Sequence, residues 1–176
     1  MAKLTVLKDD EVVRVIKAYL TLTSAYAEVS MDTQLSIERG IIWMIHSIQF
    51  HIEPSANGIT ALAEVAAAGY ESIKMQVTRE SESGTLDFQE ADLIQSHCMS
   101  IGRSAAIGTD AGPLWLYEDS PKVYEYRIPL PYASQSIFFG GQTTTGVDVN
   151  IALRIFYTVR SVSDKYFFRV AQALLG

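Results

Sequence analysis

The chain has 176 residues, 48% of them hydrophobic and 19% charged, with a formal net charge of −6. That composition folds around a sizeable core, excludes a disordered chain, and argues against a broad grip on nucleic acid, which needs many Lys and Arg on one face. The single cysteine, Cys98, excludes an internal disulfide; a reducing compartment is the simplest setting for it, with a cysteine-poor extracellular protein as the alternative.

The opening MAKLTVLKDDEVV lacks the apolar run of a secretory signal, and no window of about 18 uncharged apolar residues predicts a membrane span. No fixed-period repeat or low-complexity linker divides the chain. One domain over 1–176 is expected, with an N-terminal arm at 1–11 and a C-terminal helix at 163–175.

In chain order, DDEVVRVIKAYL reads either as the start of a strand or as a short helix with acids at its N-terminus. AYLTLTSAYAEVSM is rich in β-branched and aromatic residues and predicts a strand, continuous or interrupted. QLSIERG reads as a short strand and turn leading into IIWMIHSIQFHIE. There Ile48, Phe50 and Ile52 share one face and Ser47, Gln49, His51 and Glu53 the other, which puts His46 on the apolar side. ESIKMQVTR alternates Ile73, Met75 and Val77 with polar residues, and ADLIQSHCMSIGR gives a weaker strand. In GPLWLYE, Trp115 and Tyr117 lie on one side and Leu114 and Leu116 on the other. KVYEYRIPLPYASQSIFFGG predicts two short strands around Pro129 and Pro131, which suit an edge or a bend.

VDVNIALRIFYTVRSV carries the clearest pattern. Val147, Val149, Ile151, Leu153, Ile155, Tyr157 and Val159 form one face, and Asp148, Asn150, Ala152, Arg154, Phe156, Thr158 and Arg160 the other. Turn-forming stretches (PSANG, ESESG, GTDAGP, EDSP and GGQTTTG) separate the segments. Some eight strands so spaced predict a two-sheet sandwich or barrel. At the end, Ser163 or Asp164 caps DKYFFRVAQALL, where Phe167, Val170, Ala171 and Leu174 fall on one helical face. That face packs on the domain, docks on a neighbouring subunit, or does both.

The chemistry-bearing residues form no fingerprint. His46 and His51 point apart, and His51 with Glu53 supplies only two ligands. His97 and Cys98 are strand neighbours and also point apart; a pair across strands has no local support. There is no H-x-H, C-x-x-C or H-E-x-x-H. FFGGQTTTG reads as a hairpin turn and not a phosphate loop, Ser104 lacks the flanks of a nucleophile elbow, and the acids of RESES and EDSPKVYEYR read as solvated surface. No catalytic, cofactor-binding or metal residue is expected. Trp115 and Tyr117 remain candidates for a subunit interface, for core, or for stacking on a sugar, and Phe167 and Phe168 join them as interface candidates.

The run YRIPLPYASQSIFFGGQTTTGVDVNIALRIFYTVRSVSDKYFFRVAQ resembles the end of a single jelly-roll capsid protein from small icosahedral, non-tailed viruses. The matching order is an I-P-L-P break, an S-I-F-F-G strand, a turn, a long strand with R-I-F-Y-T-x-R, and a closing helix. LSIERGIIWMIHSIQFHIE resembles the family's turn and following core strand, so the likeness covers about half the chain. It implies an all-β single jelly-roll sandwich of about eight antiparallel strands with a short C-terminal helix. It implies a non-enzymatic virion protein, assembled in the host cytoplasm, whose partners are copies of itself, with a second capsid or penton protein as a further candidate. One departure is the arm: only Lys3 and Lys8 precede Asp9, Asp10 and Glu11, where many such proteins carry a long basic segment. Little direct nucleic-acid binding is therefore expected, with Lys3, Arg14 and Lys17 the cations left to face inward. An internal membrane, another protein or small cations would neutralise the genome.

Three readings follow. A self-assembling capsid subunit predicts large particles, with residues 1–11, 108–121 and 140–146 absorbing differences between its contacts. A jelly-roll binding module, such as a spike or fibre head or a sugar-binding domain, predicts a small closed oligomer. An enzyme needs His97, Cys98, His51 and Glu53 to converge.

Overall fold

A computed structural model describes residues 10–23, 25–35, 40–52, 69–82, 92–103, 114–116, 122–144 and 148–173. The elements are β1 Asp10–Leu22, β2 Ala27–Asp32, β3 Ile41–Ile52, β4 Gly69–Thr78, β5 Leu93–Arg103, β6 Leu114–Leu116, β7 Lys122–Tyr132, β8 Ser136–Thr143, β9 Val149–Ser161 and the helix α1 Asp164–Ala173. Two sheets form, ordered β1-β9-β3-β7 and β2-β8-β4-β5-β6, with every pairing antiparallel. The pairings nest: β1 with β9, β2 with β8, β3 with β7, β4 with β5. That is one long hairpin rolled into a sandwich, the jelly roll, with eight long strands and the three-residue β6 added at an edge.

Alternation explains why the sheets close on each other. In β9, Val149, Ile151, Leu153 and Ile155 are buried and meet Ile48 and Phe50 of β3, Ile73, Met75 and Val77 of β4, and Ile137 and Phe139 of β8. Each such side chain contributes roughly 1.5–3 kcal/mol by leaving water. A second, smaller core lies on the other side of the four-stranded sheet. There α1 lays Phe167 and Val170 over Ile42 and Ala133, with Met44, Val162 and Ala171 around them. β3 is thus covered on both sides at its start, which is why IIWMI is apolar without alternation. Ser163 caps the helix: its carbonyl accepts from the Tyr166 and Phe167 amides at 2.9 Å, and Asp164 places an acid in the first turn. Leu174 of the expected helical face lies outside the described residues.

Several sequence expectations are corrected. The helical alternative for DDEVVRVIKAYL gives way to β1, whose Val15–Leu22 half pairs residue for residue with β9. AYLTLTSAYAEVSM divides into β1 and β2, one in each sheet. The prolines do not separate two strands. Pro129 and Pro131 both lie within β7, an edge strand of its sheet, and the register slips between Glu125 and Leu130 as the chain passes Pro129. Gly140 and Gly141 of FFGGQTTTG are not in the turn, and Gly146 lies outside the described residues. β8 continues to Thr143, and Gly140 and Gly141 lie within it because there is no room for a side chain. A Cβ on Gly141 would come within 2.7 Å of the Lys74 carbonyl.

His46 is also displaced from its expected face. A bulge between Ile45 and Ser47 shifts the register of β3 against both neighbours, so the inward set runs Trp43, Ile45, Ile48, Phe50. His46 occupies the extra position and its Nε2 lies 3.0 Å from Thr158 Oγ1.

Candidate functional site

The titratable candidates are dispersed. His51 sits in register beside Ala152 on the outer face of the four-stranded sheet, and Glu53 lies outside the described residues. His97 is buried between the sheets, stacked on Phe50 with ring centroids 5.8 Å apart, its Nδ1 3.2 Å from the Tyr124 hydroxyl. Cys98, one residue on, faces the other way and is half-buried opposite Lys74. His97 therefore joins β5 to β7 across the sandwich, and the Tyr126 hydroxyl donating to Gln95 Oε1 at 3.2 Å repeats that link. Among the described residues no three His, Cys, Asp or Glu gather as metal ligands. No helix among them is long and apolar enough to cross a membrane.

The core tyrosines hold their protons tightly because burial disfavours the phenolate: Tyr126 and Tyr132 are each pushed up to about 12. Tyr132 packs near Trp43, whose ring stacks on Tyr157 at 3.9 Å, and donates its hydroxyl proton to the Ser136 carbonyl.

A polar clasp lies on the outer face of the five-stranded sheet. The Tyr26 hydroxyl donates to Glu28 Oε2 at 2.7 Å, the Ser81 hydroxyl to Glu28 Oε1 at 2.6 Å, and the Glu82 amide to Glu28 Oε2 at 3.0 Å. Burial first, then the adjacent Glu28, pushes the Tyr26 phenol upward. The Tyr26 ring lies over Gly140 so closely that a Cβ there would strike it. The sequence alone does not show this clasp; its one local signal is the adjacent glycine pair in a strand.

Exposed apolar groups are distributed unevenly. Among the described residues the large ones are Val12, Val13, Val15 and Tyr19 of β1, Val123 and Ile128 of β7, and Tyr166 and Phe168 of α1. β1 and β7 are the two edge strands of one sheet, and α1 lies against its outer face. Edge strands present unpaired backbone groups as well as side chains, so this rim offers both apolar and hydrogen-bonding surface. Ile128, 82% exposed, stands at the proline-linked register slip.

Of the interface candidates, Phe168 is 54% exposed, whereas Phe167 is 7% exposed and fills the helix-to-sheet core of its own subunit. The backbone of Trp115 pairs with Gly102 at the edge of the five-stranded sheet, and Tyr117 lies outside the described residues. Of the segments expected to vary between contacts, 1–9, 108–113, 117–121 and 145–146 also lie outside them.

No protein-family model matches the sequence, and no curated protein matches it. Solved structures match it by fold. VP1 of Trichodysplasia spinulosa-associated polyomavirus, in complex with GM1 oligosaccharide, is similar with a TM-score of 0.55 at 9% identity, over 87% of this chain and 96% of that one. Merkel cell polyomavirus VP1 in complex with GD1a oligosaccharide gives 0.52 at 8% identity, over 91% and 99%. The unassembled Merkel cell polyomavirus VP1 pentamer gives 0.50 at 9% identity, over 91% and 99%. At such identities the likeness is one of fold, and the fold this chain adopts is the jelly roll of these VP1 capsid proteins.

Proposed function

We propose that the chain is a viral capsid subunit that assembles with copies of itself into an icosahedral shell, in a structural and non-catalytic role. The observation that carries this reading is the placement of exposed apolar residues. All the large ones among the described residues lie on the two edges of one sheet and on the helix against it, in a fold shared with VP1 proteins. Edges so arranged join by strand pairing or by apolar contact, and Phe168 and Tyr166, on either side of the buried Phe167, supply the aromatic groups that interfaces favour. Trp115, in the edge strand of the five-stranded sheet, belongs to the same proposal, as does Tyr117, which lies outside the described residues. The protein resides in the virion after assembly in the host cytoplasm. A second capsid or penton protein, or an internal membrane, completes the particle if this chain does not close it alone.

Light scattering and negative-stain electron microscopy of the purified chain, near neutral pH and in moderate salt, test the reading. Uniform particles tens of nanometres across are expected. Ile128→Asp, at an exposed site that leaves the core intact, is expected to abolish them while the subunit keeps its circular dichroism. A stable trimer with nothing larger favours instead a spike, fibre head or sugar-binding module. Glycan binding with a Trp115→Ala control would then be the next measurement.

A further inference from the structure

Beyond the helix-covered end, the outer face of the four-stranded sheet carries a second kind of surface. Its outward rows follow from the register. Lys17 lies opposite Arg154, which lies opposite Gln49. On one side is the row Tyr19, Ala152, His51, and on the other Val15, Phe156, Ser47. Directly opposed residues have Cβ atoms about 4.5–5.5 Å apart, where like charges repel. Neither Lys17 nor Arg154 has an acidic partner among the described residues. Glu125, on the same face, is separated from Lys17 by two strands, and Asp148 lies beyond the Asn150 end. Asp10 and Glu11 lie at the start of β1, on the other side of its register shift from Lys17, and the remaining described acids lie elsewhere: Glu28, Asp32, Glu71, Glu80, Glu82 and Asp92 on or beside the five-stranded sheet, Asp164 at the helix cap. A chain of net charge −6 thus keeps two adjacent cations on one face with no acidic partner among the described residues.

We propose that this face, exposed at Lys17 and Tyr19 and closed at Ala152, binds single-stranded nucleic acid on its β1 side. One phosphate bridges Lys17 and Arg154 and relieves their repulsion. Successive outward rows are about 6.8 Å apart, within the reach of one nucleotide. A base flanking that phosphate therefore stacks on Tyr19, which is 59% exposed, and the Phe156 row receives the next. Gln49 and Asn150 offer amides to base edges or sugars. The chemistry favours a single strand over a second copy of the chain, because lysine is depleted at the centres of protein interfaces. It favours a single strand over a duplex, whose base faces are already stacked. The inference revises the expectation of little direct nucleic-acid binding: the contact is weak per subunit, and a closed shell would multiply it.

The test is fluorescence anisotropy of a short labelled oligo(dT) and oligo(U) on unassembled, nuclease-treated full-length chain. With one phosphate neutralised, log K should fall against log salt with a slope of about −0.7. Lys17→Gln with Arg154→Gln should lose that slope and at least about tenfold in affinity. Tyr19→Ser should lose about tenfold through stacking, and Lys17→Arg should retain binding. Absence of saturable binding at low salt, equal affinity for a duplex, or an unchanged slope in the double variant overturns the proposal. So does loss of particle formation by the double variant in nucleic-acid-free protein, which would give the face to a second copy. Binding is read on the subunit and assembly on the particle, so failure of either reading is seen separately.

Discussion

The outer face of the four-stranded sheet has two halves built on the same strands. At one end Ile42 and Met44 of β3 and Ala133, just after β7, point into α1; at the other, β1, β9 and β3 turn Lys17, Arg154, Gln49 and Tyr19 outward. The change falls at the His46 bulge, where one extra residue resets which side chains face outward. A single strand thus serves a double-sided core at its start and a one-sided sheet at its end. The covered half is a matter of stability. The open half carries residues that stability alone does not select, since two opposed cations weaken the sheet they stand on.

Removing the cover is expected to have the largest effect. Phe167→Ala empties the contact that holds α1 on Ile42 and Ala133 and should cost about 3–5 kcal/mol. It would leave both halves of the face open, and an apolar dye should bind the newly exposed Ile42 and Met44. Urea unfolding gives the magnitude; a loss under about 1 kcal/mol would mean that α1 does not depend on this anchor.

Next is the response to alkali, which compares the sandwich interior under the helix with the interior at the far end. Tyr132 and Tyr126 have folded-state values of about 12 against an ordinary 10. The folded chain therefore holds these protons where the unfolded chain releases them. Their stabilising contribution is fully present below pH 10 and is lost as pH rises from there toward 12. For the fully buried Tyr132 this amounts to about 2–3 kcal/mol. Thermal melts from neutral pH upward should show the decline. Tyr132→Phe should flatten its share while costing about 1 kcal/mol at neutral pH through loss of the bond to the Ser136 carbonyl. A melt equally steep in that variant would place the alkaline transition elsewhere.

The five-stranded sheet sharpens the contrast, because its outer face is closed by a tyrosine where the other sheet uses a helix. Gly140→Ala places a Cβ 2.7 Å from Tyr26 Cζ and must push the ring off the sheet. The same movement breaks the Tyr26 hydrogen bond to Glu28, and about 1–3 kcal/mol is expected in all. In a Tyr26→Ala background the same substitution should cost far less, and a double-mutant cycle measures the difference.

How much of this was legible follows from the range of each interaction. The alternation of β9 and β4 and the buried face of α1 depend on local periods, and the sequence displays them directly. The jelly-roll likeness rests on the order of such segments, and the nested pairings agree with it. The His46 bulge was hidden because an inserted residue is defined only against the strands beside it. His97 gives no local sign of Tyr124, nor Gly140 of Tyr26, because each pair meets only after the strands have found their partners. The Lys17–Arg154 row was hidden for the same reason: each residue alone is an ordinary outward polar position, and only the β1–β9 register makes them neighbours.

That row also gives the smallest predicted effect on stability and the most discriminating one. Lys17→Glu replaces repulsion across β1 and β9 with an opposed pair, and the subunit should gain about 0.2–1 kcal/mol. If the open face were only a solvated surface, that gain would come without consequence. If it holds a phosphate, the same change should stabilise the fold and reduce oligo(dT) affinity by at least about tenfold, since a carboxylate would stand where the phosphate rests. A thermal melt and a binding titration on one variant then move in opposite directions, which loss of folding cannot imitate. A stabilised variant that still bound the oligonucleotide would return this half of the face to ordinary surface and leave the helix-covered half as the sheet's only specialised ground.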